Sequence, residues 1–161
     1  MAATQDLTLE VNGEPHDLSV APRRLLADVL RTEVGLTGTK RGCDTAECGA
    51  CTVLLDGEPV KACNLLAVQA DGAAVTTVEG LARDGELTAL QRAFWDEYGF
   101  QCGFCTPGFL MAGTALLAAN DDPSEAEIRT ALAGNLCRCT GYVKIVDAVK
   151  AAADASSAGS E

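Results

Sequence analysis

Eight cysteines are the residues best suited to chemistry in this sequence, and they fall into two sets of four. Cys43, Cys48, Cys51 and Cys63 follow C-x4-C-x2-C with a more distant fourth, the plant-type ferredoxin spacing for a [2Fe–2S] cluster. Four thiolates must converge on two irons, so one tight loop supplies three and the element behind it supplies the fourth. Gly42 and Gly49 are expected to let that loop take positive φ and approach the sulfurs closely, with backbone N–H groups offsetting the negative charge. Zinc is the poorer fit, because its sites favour C-x2–4-C pairs, often with histidine, and the single histidine, His16, lies far upstream. A disulfide set would need an oxidising compartment.

The second set is Cys102, Cys105, Cys137 and Cys139: C-x2-C, a gap of 31 residues, then C-x-C. Spacing says less here, and taken alone it suits zinc and iron–sulfur equally. Cys105 precedes Thr106-Pro107, which reads as an N-cap followed by proline at the first helical position. The helix dipole at such a start favours a thiolate. No Ser-His-Asp, Cys-His or paired-carboxylate arrangement is apparent, so the chain alone is not expected to catalyse bond chemistry.

The elements that must carry these cysteines differ between the two halves. Leu7, Leu9 and Val11 alternate with polar residues and lead into Asn12-Gly13, a hairpin signal, with a return strand through about Leu18–Val20. Leu25, Leu26, Val29 and Leu30 have helical spacing. Thr52–Leu55, the turn pair Asp56-Gly57 and a last strand near Ala73–Val78 complete a small α+β unit. Beyond Gly80–Gly85 the pattern turns helical. Thr88-x-x-Gln91 and Ser124-x-x-Glu127 are capping boxes. Leu90, Phe94 and Tyr98 then follow at helical spacing with Gly99 as the stop. Phe109–Ala119 is a continuous apolar helix, the Ser124 helix is expected to end at Gly134, and Tyr142 to about Ala153 forms the last. Four short helices suggest a bundle. The expected division is 1–80, 81–153 and a flexible tail over 154–161.

Composition narrows the function. The formal net charge is −11 and 48% of the residues are hydrophobic. A strongly acidic chain lacks the clustered cations that a phosphate backbone demands, so nucleic acid is excluded as a partner. The amino terminus shows no secretory pattern and there is no run of 18 apolar residues, so no membrane span is expected. A cytoplasmic location follows as the default, and there cysteines serve metal binding or redox work.

Three segments carry a resemblance: GCDTAECGACTV (Gly42–Val53), QCGFCTPG (Gln101–Gly108) and GNLCRCTGY (Gly134–Tyr142). Together they resemble the iron–sulfur small subunit of the molybdenum hydroxylases, the xanthine oxidase family, over about Asp6–Ala153. The resemblance implies an N-terminal β-grasp ferredoxin-like domain followed by a C-terminal four-helix-bundle domain. It implies that Cys43, Cys48, Cys51 and Cys63 hold a distal [2Fe–2S] cluster nearer FAD. Cys102, Cys105, Cys137 and Cys139 would hold a proximal one nearer molybdopterin. Gln101 and Cys139 match the family positions that touch the pterin across a subunit interface; a carboxamide offers both donor and acceptor to a pterin edge. Molybdopterin and FAD would lie on a large and a medium partner subunit, with doubling into a dimer of heterotrimers as a further expectation. The chain would then pass electrons from molybdenum through its two clusters to FAD.

Other features carry less. GLTGTK (Gly35–Lys40) fails the phosphate-loop spacing and reads as a turn, with Lys40 and Arg41 available to balance cluster charge. Phe94, Trp95 and Tyr98 suit packing in a core or an interface. Arg138 lies between two cysteines and suits either a reduced cluster or solvent. A zinc-stapled adaptor and a free-standing two-cluster ferredoxin are the competing functional classes. Colour separates the first, since zinc protein absorbs no visible light.

Overall fold

The computed structural model describes residues 3–158, with 156–158 described through their backbone alone. Its first part is a five-stranded mixed sheet in the order β2-β1-β5-β3-β4. Strands β1 (Gln5–Val11) and β2 (Glu14–Val20) form an antiparallel hairpin. Asn12 and Gly13 supply its turn, both at positive φ (54° and 86°), as a two-residue hairpin matching strand twist requires. Helix α1 (Leu26–Thr32) buries Leu26, Ala27, Val29 and Leu30 against the sheet. Strands β3 (Thr52–Leu55) and β4 (Glu58–Lys61) repeat the hairpin around Asp56-Gly57. Strand β5 (Ala74–Thr76) then runs parallel to β1 and antiparallel to β3. This is the β-grasp arrangement. Leu7, Leu9 and Val11 of β1 face its core with Val53 and Val75, so the period-two alternation marks the buried face.

The second part is a bundle of α2 (Ala89–Asp96), α3 (Thr106–Ala119), α4 (Glu125–Leu132) and α5 (Val143–Ala158). Both capping boxes form: Thr88 accepts from Gln91 N–H and Ser124 from Glu127 N–H, each answered by the returning side chain. Phe94, Phe109, Met111, Ile128, Ile145 and Val149 make the core, and Leu54 of β3 joins it. The sheet therefore lends a side chain to the bundle, and the two parts share a packed seam.

Several expectations need correction. Helix α2 stops at Asp96, and Tyr98 (φ 57°) takes the left-handed position assigned to Gly99. Tyr98 is accordingly 77% exposed and Trp95 67%, while Phe94 alone of the three is core. Thr106 is the first helical residue of α3, not its cap; Cys105 precedes it and makes no side-chain cap bond. Helix α4 ends at Leu132, short of Gly134. β2 begins four residues earlier than expected and β5 is shorter. The tail expected from 154 is helical as far as Ala158. Alanine is the strongest helix former, and Ala151, Ala152, Ala153 and Ala155 carry α5 past that point. Positions 159–161 lie outside the described residues.

Candidate metal centres at two cysteine loops

The first loop leaves α1 and returns through β3. Cys43 and Cys48 are half-buried, and Cys51 and Cys63 are buried at 1% and 3% exposure. Cys63 comes from the short 3-10 turn Ala62–Asn64 behind the loop, the fourth-ligand placement that the spacing demands. The loop coils around Cys43: Thr45 N–H and Cys48 N–H donate to its Sγ at 3.4 and 3.3 Å. Hydrogen bonds from Thr45 and then Cys48 hold the Cys43 thiol down to about 6. Positive φ at Asp44 (58°), Ala46 (63°) and Gly49 (69°) makes this coil possible. Gly42 does not share that conformation, contrary to expectation. Its requirement is space, because a Cβ there would come within 2.9 Å of Cys48 Sγ. Arg41 ties the loop to α1, pairing with Asp28 and with Asp44. Lys40 Nζ donates to Thr37 O. The Arg41 charge is therefore met by two carboxylates rather than by the sulfurs that the sequence suggested, while Lys40 bonds only a neutral carbonyl.

The second loop pair sits where α3 begins and α5 is about to begin. Cys102 Sγ and Cys139 Sγ are 3.6 Å apart and both residues are exposed. Cys105 and Cys137 are half-buried and in side-chain contact. Around Cys137, Cys139 N–H and Thr140 N–H each donate to Sγ at 3.4 Å, and Thr140 Oγ1–H donates at 3.1 Å. Burial pushes the Cys137 thiol up, but the Thr140 bonds outweigh it and leave the thiol lowered. Cys137 N–H in turn donates to Tyr142 Oη at 3.0 Å. The expected dipole effect at Cys105 does not prevail: burial, then Cys137, pushes that thiol up to about 12. Burial does the same for Cys51, also to about 12.

The grouping is by twos. Among the described residues no three His, Cys, Asp or Glu side chains form a group that would hold one ion. The thiols of Cys51 and Cys63, of Cys102 and Cys139, and of Cys105 and Cys137 are in contact, while Cys43 Sγ is met by the backbone N–H of Cys48. A [2Fe–2S] centre asks for this arrangement, two thiolates on each of two irons. Two sulfurs on one tetrahedral metal with metal–sulfur bonds of about 2.3 Å stand about 3.8 Å apart. The 3.6 Å of Cys102 and Cys139 agrees with that separation and is far beyond the ~2.05 Å of a disulfide. Thiols held near 12 keep their protons at neutral pH until a metal displaces them. The donor sets fit the clusters.

The seam between the loops holds residues that sequence reasoning missed. Asn135 is 3% exposed; its Nδ2 donates to Gly49 O at 3.0 Å and its Oδ1 accepts from Lys61 Nζ at 3.4 Å. Leu136 N–H donates to Cys48 O at 2.9 Å, so a residue adjacent to Cys137 is bonded directly to a residue of the first set. Gly49 and Gly108 permit the contact: a Cβ on Gly49 would fall 2.3 Å from Gly134 O, and one on Gly108 would fall 2.2 Å from Gly49 O. Nothing in the sequence ties Lys61 to Asn135, 74 positions away. Gln101 is exposed beside the Cys102–Cys139 pair, with Arg138 also exposed. Phe104, Leu136 and Val143 are exposed at 48%, 53% and 56%.

Comparisons with known proteins converge. Residues 9–86 match the family model for the 2Fe-2S iron-sulfur cluster binding domain, and residues 77–150 match the [2Fe-2S] binding domain. The chain is 53% identical over 147 residues to caffeine dehydrogenase subunit gamma of Pseudomonas sp. (strain CBB1), covering 89% of this chain and 88% of that one. It is 47% identical over 153 residues to the xanthine dehydrogenase iron-sulfur-binding subunit of Escherichia coli O157:H7, covering 92% and 96%. The crystal structure of quinoline 2-oxidoreductase from Pseudomonas putida 86 contains a chain that superposes with a TM-score of 0.92 at 48% identity, covering 98% and 99%.

Proposed function

The chain belongs to the small iron–sulfur subunits of the xanthine dehydrogenase and aldehyde oxidoreductase family of molybdenum hydroxylases, and from this we propose which residues hold each of its two [2Fe–2S] clusters and which way electrons run. Cys43, Cys48, Cys51 and Cys63 hold the distal cluster, nearer FAD. Cys102, Cys105, Cys137 and Cys139 hold the proximal cluster, nearer the molybdopterin of the large subunit. Gln101 and Cys139 meet that pterin. The observation that carries this reading is the contact of thiols within each set, Cys51 with Cys63, Cys105 with Cys137 and Cys102 with Cys139, the last pair at the surface.

When bound, [2Fe–2S] clusters supply one-electron carriage at potentials that for plant-type ligation start near roughly −400 mV. The protein's own work is positional. Buried Cys51 and Cys63 keep water from one side of the first site, while Thr45 and Cys48 N–H groups aim positive charge at Cys43. Thr140 and Tyr142 fix Cys137 from its sulfur and its amide. The Leu136 N–H to Cys48 O bond holds the two sites in register. The exposed end, with Gln101, Phe104, Leu136 and Val143, suits burial under a partner, since apolar side chains grouped at a surface favour an interface.

The complex has a large molybdopterin subunit and a medium FAD subunit as partners, doubled into a dimer of heterotrimers, and works in the cytoplasm. No helix among the described residues is long and apolar enough to cross a membrane. The division falls near Gly80, with 1–80 carrying the distal site and 81–153 the proximal. Likeness of 53% and 47% to subunits named for caffeine and xanthine dehydrogenases does not single out one substrate, so substrate choice rests on the large subunit. The test is a pair of variants in the purified complex. C51S should abolish one of two paramagnetic signals of the reduced protein, and C139S the other. Loss of the same signal in both, or of neither, would overturn the assignment.

A further inference from the structure

We propose that Lys61 is a positioning residue for electron transfer: a fixed positive charge, built into the seam, that raises the reduction potential of the first cluster site and so favours passage of the electron from the second. This rests on the ligand assignment above.

Lys61 ends β4, directly opposite Thr52 in the β3–β4 register. Thr52 follows Cys51, and Lys61 lies two residues before Cys63; Ala62 N–H donates to Cys51 O at 3.2 Å, so the strand pairing sets Lys61 beside the backbone of two buried cysteines of one set. Its Nζ donates to Thr52 Oγ1 at 3.0 Å and to Asn135 Oδ1 at 3.4 Å. Both acceptors are neutral. The position Gly134 would give a Cβ is 3.4 Å from the same Nζ, so the ammonium is held between the loops.

The group lacks an ordinary counter-ion. The chain has 23 acidic residues against 12 basic ones, yet none of the ion pairs among the described residues includes Lys61. Arg41, nearer the loop in sequence, is engaged by Asp28 and Asp44. A half-buried ammonium bonded only to neutral oxygens carries a desolvation cost. The cysteines beside Lys61 along its own strand and the paired one, Cys63 and Cys51, belong to the first set, so the negative charge nearest the ammonium is that of the first site's thiolates.

The consequence is directional. Reduction adds one negative charge at a site, and a nearby fixed cation stabilises that form over the oxidised one. Thr52 and Asn135 keep the ammonium from swinging to solvent.

The test uses the purified complex carrying K61M, K61Q or K61R in place of the wild-type chain, with iron per chain measured first. Potentiometric titration followed by electron paramagnetic resonance then reads both midpoints. In K61M and K61Q the signal that C51S abolishes should move to lower potential, with the reduced-to-oxidised ratio at fixed potential falling on the order of tenfold, ~59 mV for one electron. The other signal should move less, and K61R should restore the wild-type value. Unmoved or equally moved signals would overturn the inference, as would iron loss in both K61M and K61Q, which would make the residue structural. A wild-type complex without two separable signals would instead overturn the ligand assignment, and this inference with it.

Discussion

Substituting alanine for Gly49 should damage the protein at the seam, and its cost follows from two contacts. Gly49 has φ +69°, and a Cβ there would stand 2.3 Å from Gly134 O and 2.6 Å from Asn135 Nδ2. Holding alanine in the left-handed region costs about 1–2 kcal/mol. Forcing a methyl into filled space adds about 1–3 kcal/mol, and the obstacle is a backbone carbonyl that cannot turn aside. Roughly 2–5 kcal/mol in all is a large share of the ~5–15 kcal/mol that holds a typical domain. Gly57 gives the matched control, because its φ is +88° but nothing lies within 4 Å of its built Cβ; G57A should carry only the conformational cost of about 1–2 kcal/mol. G108A tests the clash alone, since its Cβ would meet Gly49 O at 2.2 Å without positive φ. The assay is thermal unfolding of the purified complex with iron counted per chain. The order should be wild type, G57A, then G108A and G49A, with iron lost in the last two. G49A matching G57A in both unfolding and iron content would refute the reasoning that the two loops press together here.

Further consequences can be measured in the same preparations. T88A removes the cap that accepts from Gln91 N–H and should cost about 1 kcal/mol, read as a lower unfolding midpoint with iron unchanged. Y142F removes the oxygen that accepts from Cys137 N–H at 3.0 Å. An amide left without its partner costs about 1–3 kcal/mol, so iron should leave the second site faster on chelation while the first keeps its signal; equal loss from both would contradict this. N135A should loosen both sites together, because Asn135 bonds Gly49 O and Lys61 Nζ at once, and a loss confined to one site would argue against a shared seam.

The Cys43–Cys51 loop is legible because its three cysteines are close in sequence, whereas the contacts of Cys102 with Cys139 and of Cys105 with Cys137 cross gaps that spacing does not fix. The capping boxes at Thr88 and Ser124 and the turns at Asn12-Gly13 and Asp56-Gly57 are legible for the same reason: each needs only four neighbouring residues. Helix ends are less so. Tyr98 adopts positive φ although Gly99 follows it, since the bundle places Phe94 against Gly99, where a Cβ would come 2.9 Å from the ring. The thiol at Cys105 shows a local rule overridden by packing, with burial against Cys137 prevailing over the helix start. Lys61 and Asn135 could not have been found from the sequence, as they meet only when β4 and the loop after α4 come together across 74 positions. Long-range pairings of this kind leave no periodicity or spacing to read.

This chain carries two [2Fe–2S] clusters as a subunit of a molybdenum enzyme. Metal analysis of the complex, isolated gently through a tag on this chain, tests it most directly. About four irons per chain, two for each cluster, with about one molybdenum and no stoichiometric zinc, is the predicted result. Zinc in place of iron would contradict the account, and four irons with no molybdenum and no partner subunits would make the chain a free-standing ferredoxin.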